Sequence, residues 1–152
     1  MMQESSPLQV ERYTEPHLFS VVRLAKAFHD DASFEYDSGF NVDAVIQTVS
    51  SADPRNLFLL IIDGVCQGII YGTRIKSGMT GHWLYQEMIW YVDKGHRGVG
   101  LAFLLEVEKL LKEDGVTHII MAVLENSKTE KLKEFYTKTG YKCMETHFIK
   151  EL

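Results

Sequence analysis

This chain of 152 residues lacks basic runs and paired metal ligands, and it holds only two cysteines and three prolines. Its 21 acidic residues outnumber the 16 Lys and Arg residues, which gives a formal net charge of -5. A chain of that sign is poorly suited to neutralising phosphates, so we expect no nucleic-acid partner. The six His residues form no pair at metal-ligand spacing, so we expect no metal site.

Long apolar runs are also missing. No segment approaches the roughly 18 uninterrupted apolar residues of a membrane span. The first residues show neither the charged stretch nor the apolar run of a secretory signal. Cys66 and Cys143 lie in segments with strand character, and we expect both to be buried small hydrophobic side chains rather than a disulfide or a nucleophile. We therefore expect a cytoplasmic protein with no membrane partner.

Apolar residues are abundant and make up 45% of the chain. In a chain of this length, that share is enough to bury a hydrophobic core. No linker, repeat or low-complexity segment divides the chain, so we expect a single domain over residues 1–152.

Hydrophobic periodicity and turn residues predict an alternation of strands and helices. The predicted strands cover residues 8–13, 57–62, 65–76, 82–92 and 118–123, with one or two more in 141–152. Helices are predicted after Thr14, Asn41, Gly100 and Ser127. An antiparallel meander followed by strand–helix crossovers predicts an α/β fold, with a mixed sheet of six or seven strands flanked by about four helices.

Three glycines and an arginine lie within six residues where a predicted strand meets a predicted helix. We call residues 94–102 the glycine corner. Glycine lets a ligand approach the backbone and lets the chain turn sharply. The first amides of a helix have no intrahelical partner and suit an anion, and Arg97 would add charged donors. The pattern favours a phosphate-binding site, and the alternative is a tight turn with a helix cap.

The motif Arg97-x-x-Gly100-x-Ala102 resembles the Gln/Arg-x-x-Gly-x-Gly/Ala motif of the GNAT superfamily of N-acyltransferases. A second stretch, Phe135-Tyr136-x-x-x-Gly140-Tyr141, resembles the family's second motif. The order of elements along nearly all of the chain is also similar. The resemblance implies acetyl-CoA as co-substrate and implies that its pyrophosphate lies on the glycine corner. The residues that would bind it there are Arg97, Gly98, Val99, Gly100, Leu101 and Ala102.

The resemblance also implies roles for residues on either side of the glycine corner. A backbone amide near Tyr91 or Val92 would polarise the thioester carbonyl. Asn126 matches the asparagine that contacts the pantetheine arm, although Asn126 or Ser127 could equally cap the following helix. Lys94 stands where the family frequently has a proline, which affects the rigidity of the turn more than cofactor binding.

Glu87 is the predicted general base. Strand alternation places it on one face with Trp83, Tyr85, Ile89 and Tyr91. A carboxylate among aromatic side chains is costly to bury, and desolvation raises its pKa, which suits a base that takes a proton from an amine. In the resembling family a Glu on this strand often has that role, directly or through water. The alternatives are a glutamate at the sheet surface and a structural ion pair.

Tyr136 is the predicted general acid. A phenol on a buried helical face can donate a proton to a departing thiolate, and the second motif of the resembling family places a tyrosine with that role here. The alternative is a core aromatic residue whose hydroxyl bonds a backbone group.

The segment 29–37 mixes four acidic residues with aromatic ones. Such a segment could attract and cover a cationic amine, and the resembling family uses this connection as a wall of the acceptor site. His29, Phe34 and Tyr36 are therefore the predicted acceptor-binding residues, with a solvated acidic loop as the alternative.

These interpretations predict an N-acetyltransferase that moves an acetyl group from acetyl-CoA to a primary amine by direct attack in a ternary complex. One alternative is a non-catalytic acyl-CoA-binding or regulatory module. Another is a toxin-type acetyltransferase acting on charged tRNA, which an acidic chain disfavours. Whether the acceptor is a small molecule or a peptide is left open, as is the oligomeric state, for which a homodimer is one alternative.

Overall fold

The computed structural model describes residues 8–32, 39–124 and 129–152. Its strands are β1 (Gln9–Arg12), β2 (Leu57–Ile62), β3 (Val65–Lys76), β4 (Trp83–Val92) and β5 (Val116–Ile120). Its helices are α1 (Leu18–Ala32), α2 (Val42–Ser51), α3 (Gly100–Glu113) and α4 (Thr129–Lys138). Short 3-10 turns precede α1, β2 and α3, at Glu15–His17, Pro54–Asn56 and Lys94–Val99.

The strands form one mixed sheet in the order β1-β2-β3-β4-β5. Neighbouring strands are antiparallel from β1 to β4, whereas β4 and β5 are parallel. Helices α1 and α2 cover one face of the sheet, and α3 and α4 cover the other. Because both faces are covered, β2 is a continuous apolar strand with almost every residue buried. The predicted α/β class and mixed sheet are therefore confirmed.

The sheet has five strands in the described part of the chain, so the prediction of six or seven is wrong. The missing strands are those expected in residues 141–152, which form neither strand nor helix. Phe148 is 94% exposed and Ile149 is 67% exposed, so the alternation in this segment buries no face that would fix a strand register. The expected burial of Cys143 is also wrong, because this residue lies in the same segment and is exposed. Cys66 is buried, as expected.

A β-bulge in β4 changes the faces on which its side chains lie. Gly72 of β3 pairs with Glu87, and Tyr71 pairs with Ile89, so Met88 has no partner on β3. An extra residue in one strand reverses the alternation of side chains beyond it. The prediction that Glu87 and Ile89 share one face is therefore wrong.

The two cores record this reversal. Tyr85 belongs to the core under α3 and α4, as does Val92, whereas Tyr91 belongs to the core under α1 and packs with Ile89. Glu87, which precedes the bulge, lies on the same face as Tyr85. The bulge thus turns Trp90 to the face of α4, where Glu87 already lies, and Tyr91 to the face of α1.

Gly72 allows the bulge to form beneath the ring of Tyr85. A Cβ at this position would lie 2.4 Å from the carbonyl oxygen of Gln86 and 2.6 Å from Cζ of Tyr85. The Tyr85 hydroxyl donates a hydrogen bond of 2.7 Å to the carbonyl of Asn56, which fixes the ring over the glycine. Because both neighbours are held in place, only glycine fits at this position.

Candidate active site

Strands β4 and β5 separate beyond Gln86 and Ile120, their last paired residues. Backbone groups in the diverging segments need other partners, because a buried polar group without one is costly. We call the space between residues 87–92 of β4 and residues 121–124 after β5 the seam. Among the described residues, four side chains bond the backbone groups that border it: Glu87, Tyr136, Arg97 and Thr129.

Glu87 and Tyr136 both form hydrogen bonds with the backbone of Ala122. Oε2 of Glu87 accepts a hydrogen bond of 3.0 Å from the Ala122 amide, and the Tyr136 hydroxyl donates one of 3.3 Å to the Ala122 carbonyl. The structure therefore brings together the two residues predicted as base and acid.

Glu87 is only 7% exposed. Burial raises its pKa to about 7, and the hydrogen bond from the Ala122 amide limits the rise. It forms no salt bridge with any residue in the described part of the chain. Neither of the two alternatives for this residue, an exposed position or a structural ion pair, is therefore observed. A carboxyl group with this pKa can exchange protons near neutral pH.

Tyr136 lies among other aromatic rings in the core under α4. Burial raises its pKa well above the usual value, and the charge of Glu87 adds to the effect. Its ring centroid lies 5.2 Å from that of Tyr141, whose hydroxyl donates to a carboxylate oxygen of Glu108 at 2.8 Å. Tyr136 therefore stays protonated at neutral pH, as a proton donor must.

Trp90 lies between Tyr136 and the glycine corner. Its ring centroid is 6.1 Å from that of Tyr136, and its Cζ2 is 3.7 Å from the position of a Cβ on Gly100. The indole Nε1 is buried and has no hydrogen-bond partner among the described residues. A buried donor without an acceptor costs about 1–3 kcal/mol, so this donor favours a polar ligand group or ordered water at this end of the seam. No pattern in the sequence singled out this residue.

The glycine corner ends at the N-terminus of α3. Its N-cap residue, Val99, makes no capping hydrogen bond with its side chain, so no cap from this residue covers the first amides of the helix. The entry to the corner is anchored, because the Asp93 amide donates to the Gln67 carbonyl at 2.8 Å and the Asp93 carboxylate accepts from the Lys94 amide. The result is a firmly held helix N-terminus with the positive end of its dipole available to an anion.

The glycines of the corner keep space open above the backbone. A Cβ on Gly95 or Gly98 would meet no atom within 4 Å, and one on Gly100 would meet only Trp90 at an ordinary distance. None of the three has a positive φ, so none adopts a backbone conformation that favours glycine. The fold itself does not require glycine at these positions.

Arg97 is bonded within the protein. Its Nε donates to the Val92 carbonyl at 3.2 Å, its Nη2 donates to Oδ2 of Asp31 at 3.0 Å, and its guanidinium lies 5.5 Å from the centre of the Tyr91 ring. Direct contact of this guanidinium with a phosphate stays a prediction. The observed bonds make Arg97 a brace between the glycine corner, β4 and α1.

Asp31 is a site residue that sequence reasoning did not single out. Besides Arg97 it contacts Lys94, with Nζ to Oδ1 at 3.3 Å, and it accepts from the Tyr91 hydroxyl at 3.2 Å. Burial by itself raises the pKa of Asp31. The hydrogen bond and the charge of Lys94, together with the hydrogen bonds from Tyr91 and Arg97, outweigh burial and hold this pKa below its usual value. The only signal in the sequence was its place in the acidic segment 29–37.

The predicted acceptor-binding residues are only partly within the described structure. His29 lies half-buried near the end of α1, with its ring centroid 5.4 Å from that of Phe40. Phe34, Tyr36 and the predicted pantetheine contact Asn126 lie outside the described residues. Within residues 8–32, 39–124 and 129–152, no group of three potential metal ligands occurs and no helix is long and apolar enough to cross a membrane.

Comparison with known proteins agrees with this geometry. A family model described as the acetyltransferase (GNAT) family matches residues 20–141. No curated protein shows a significant sequence match.

Several solved structures share the fold. An aminoglycoside acetyltransferase from an uncultured soil metagenomic sample, in complex with sisomicin, is 15% identical with a TM-score of 0.74, and the match covers 95% of this chain and 96% of that one. The ribosomal-protein-alanine N-acetyltransferase of Brucella melitensis biovar Abortus 2308 is 11% identical with a TM-score of 0.74, and the match covers 96% of this chain and 100% of that one. The aminoglycoside N-acetyltransferase AAC(6')-Iy in complex with CoA is 15% identical with a TM-score of 0.72, and the match covers 100% of this chain and 99% of that one. Since the family match spans most of the chain and the fold agrees, this protein belongs to the GNAT acetyltransferase family and is an acyltransferase.

Proposed function

We propose that this enzyme transfers the acetyl group of acetyl-CoA to a primary amine by direct attack in a ternary complex. The observation that carries the proposal is the meeting of Glu87 and Tyr136 on Ala122, at the seam. Amine acetylation needs a group that takes a proton from the amine and another that gives one to the leaving thiolate. Acetyl-CoA supplies the acetyl thioester, and the chain supplies both proton-transfer groups.

The glycine corner fits the pyrophosphate of acetyl-CoA. The amides at the start of α3 lack a side-chain cap from Val99, and the space above Gly98 is open. Backbone amides of residues 97–102 would hold the pyrophosphate, and the dipole of α3 would stabilise its charge. The pantetheine arm would lie in the seam, with Asn126 as a proposed contact.

Glu87 acts as the general base in this proposal. An amine acceptor is mostly protonated at neutral pH and must lose a proton before it can attack. A carboxylate whose pKa is raised to about 7 is well matched to take that proton near neutral pH, directly or through water.

Val92 is a better candidate than Tyr91 for the backbone donor to the thioester carbonyl. The Asp93 amide bonds Gln67 on the β3 side, and in a regular antiparallel strand alternate amides point to opposite edges. The Tyr91 amide therefore points towards β3, and the Val92 amide points into the seam. A fixed donor there can stabilise negative charge that develops on the carbonyl oxygen.

Tyr136 acts as the general acid. When the amine nitrogen bonds the carbonyl carbon and the carbon–sulfur bond breaks, the thiolate needs a proton, and the Tyr136 hydroxyl can give it. The hydroxyl's present bond to the Ala122 carbonyl is long, at 3.3 Å, so turning to another acceptor costs little. No covalent enzyme intermediate is needed, because holding both reactants in one cleft provides much of the rate.

The acceptor is proposed only as a class, a small-molecule or peptide amine that carries positive charge. The solved neighbours include enzymes named for aminoglycosides and for a ribosomal-protein alanine, both of which are amines. The segment 29–37 holds four acidic residues, a composition that suits a cationic acceptor, and His29, Phe34 and Tyr36 are the proposed acceptor contacts.

A homodimer stays a proposal. In the described sheet, β5 pairs only with β4 and is an edge strand, which suits pairing with a second copy of the chain. Sedimentation at several protein concentrations tests for it.

The catalytic proposal is tested by release of free thiol from acetyl-CoA in the presence of an amine panel that includes an aminoglycoside and an alanyl peptide. We expect thiol release that depends on the amine and forms one acetylated amine per thiol. If acetyl-CoA binds but neither these amines nor any other in a broad panel is acetylated, the proposed reaction is wrong.

A further inference from the structure

Asp31 connects two parts of the protein that are far apart in sequence. It lies in the last turn of α1, and its carboxylate contacts Arg97 and Lys94 of the glycine corner as well as the Tyr91 hydroxyl of β4. Its Oδ2 accepts from both Arg97 and Tyr91, and its Oδ1 lies near the Lys94 ammonium.

The position of Asp31 is unfavourable for α1 itself. The C-terminal end of a helix carries partial negative charge, so a carboxylate there is destabilising on local grounds. The cations Arg97 and Lys94 offset this effect from outside the helix. The role of Asp31 therefore concerns the glycine corner rather than the stability of α1.

Arg97 transmits this contact to β4. Its Nε bonds the Val92 carbonyl, which points into the seam and has no partner on β5. The chain of contacts from Asp31 through Arg97 to Val92 fixes the turn Lys94–Val99 relative to the end of β4.

We propose that Asp31 is a positioning residue for acetyl-CoA binding. Asp31 holds Arg97 and Lys94 so that the backbone amides of residues 97–102 are arranged to receive the pyrophosphate. This inference rests on the proposed function. It also assigns Arg97 mainly to bracing the turn, with the phosphate held by backbone amides.

The direction in which CoA affinity changes when the Asp31 charge is removed separates a positioning role from a purely electrostatic one. CoA is strongly anionic, and Asp31 places a negative charge beside its binding site. If Asp31 acted only through its charge, removing that charge would strengthen CoA binding. If it acts by positioning, removing it weakens binding, because the turn loses its brace.

The experiment is a calorimetric titration of CoA into the wild-type protein, Asp31→Asn and the control Asp30→Asn. Asp30 is the adjacent residue of α1, and its carboxylate contacts Lys26 and His29 instead of the glycine corner. Both variants remove one negative charge from the same helix end. We expect at least tenfold weaker CoA binding for Asp31→Asn and a change of less than twofold for Asp30→Asn.

Amide hydrogen exchange without ligand provides a second readout. We expect faster exchange at residues 97–102 in Asp31→Asn and unchanged exchange there in Asp30→Asn. If Asp31→Asn does not fold, Asp31→Glu is used instead, because it keeps the charge but displaces the carboxylate, and weaker CoA binding is again expected.

Equal or tighter CoA binding by the Asp31 variant overturns the inference and leaves the proposed function intact. Failure of the wild-type protein to bind CoA overturns both the proposed function and the inference. Unchanged exchange at residues 97–102 in Asp31→Asn overturns the inference alone.

Discussion

The carboxylate of Glu87 accepts a hydrogen bond of 3.0 Å from the backbone amide of Ala122, at the point where β4 and β5 separate. The side chain replaces a strand partner that this amide lacks. The same carboxylate is the proposed base, so in this proposal one residue borders the seam and also takes the proton from the amine.

Changing Glu87→Gln should reduce turnover by about 100-fold or more, because a general base contributes on the order of 10²–10⁴ to the rate. The amide keeps the shape of the side chain and can still accept from Ala122. The activity of the wild-type enzyme should rise with pH through about 7, where Glu87 loses its proton, and the variant should lack this inflection. Steady-state rates between pH 5 and pH 9 check both points. An unchanged pH profile in the variant removes Glu87 as the base.

The same substitution should change how stability depends on pH. The pKa of Glu87 is raised in the folded protein, so its contribution to stability is fully present below the unfolded pKa, near 4.5, and is lost as pH rises through about 7. Relative to Glu87→Gln, the wild-type protein should therefore lose on the order of 3 kcal/mol of unfolding free energy over that interval. Urea unfolding of both proteins at pH 4.5, 6 and 8 measures the difference. A constant difference across this range would mean that the carboxyl group titrates normally.

Changing Tyr136→Phe should lower turnover while acetyl-CoA binding is retained, because the variant loses only the hydroxyl that protonates the thiolate. The matched control is Tyr141→Phe, which removes a neighbouring, partly buried hydroxyl that is bonded to Glu108. We expect a loss of at least tenfold in kcat for Tyr136→Phe and little change for Tyr141→Phe. Equal losses in the two variants would indicate a packing effect rather than acid catalysis.

Changing Gly72→Ala should destabilise the protein by about 2–3 kcal/mol, because the new Cβ meets a backbone oxygen and a fixed aromatic ring. Gly78→Ala is the control, since a Cβ there meets no atom within 4 Å. Chemical unfolding compares the two variants. If Gly72→Ala is as stable as the control, Gly72 is not what accommodates the bulge in β4.

The sequence predicted the central hairpin well. The bounds of β2 and β3 agree with the prediction because the apolar run is bounded by Asp63-Gly64, and both residues have the positive φ of a tight two-residue turn. The Asn41 side chain caps α2 as expected, and Gly115 ends α3 with a positive φ. Local chemistry decides each of these features, so a single sequence reveals them.

Features that depend on distant contacts could not be predicted in this way. The bulge at Met88 depends on Gly72 beneath Tyr85 in two paired strands, and periodicity in β4 alone does not show it. The contact between Asp31 and Arg97 joins residues 66 positions apart. Strand β5 begins at Val116 and ends at Ile120, whereas the pattern predicted 118–123, because the strand stops where it separates from β4.

The central claim is that acetyl-CoA binds on the glycine corner at the start of α3. The most direct test is calorimetric titration of acetyl-CoA into the wild-type protein, Gly98→Ala and Gly95→Ala. A Cβ meets no atom of the protein at either position, and neither glycine has a positive φ, so both variants should fold with at least wild-type stability. The account predicts one site of micromolar affinity in the wild-type protein and in Gly95→Ala, and binding at least tenfold weaker in Gly98→Ala, where the methyl group covers the amides that receive the pyrophosphate. Absence of binding in the wild-type protein, or full affinity in Gly98→Ala, would contradict it.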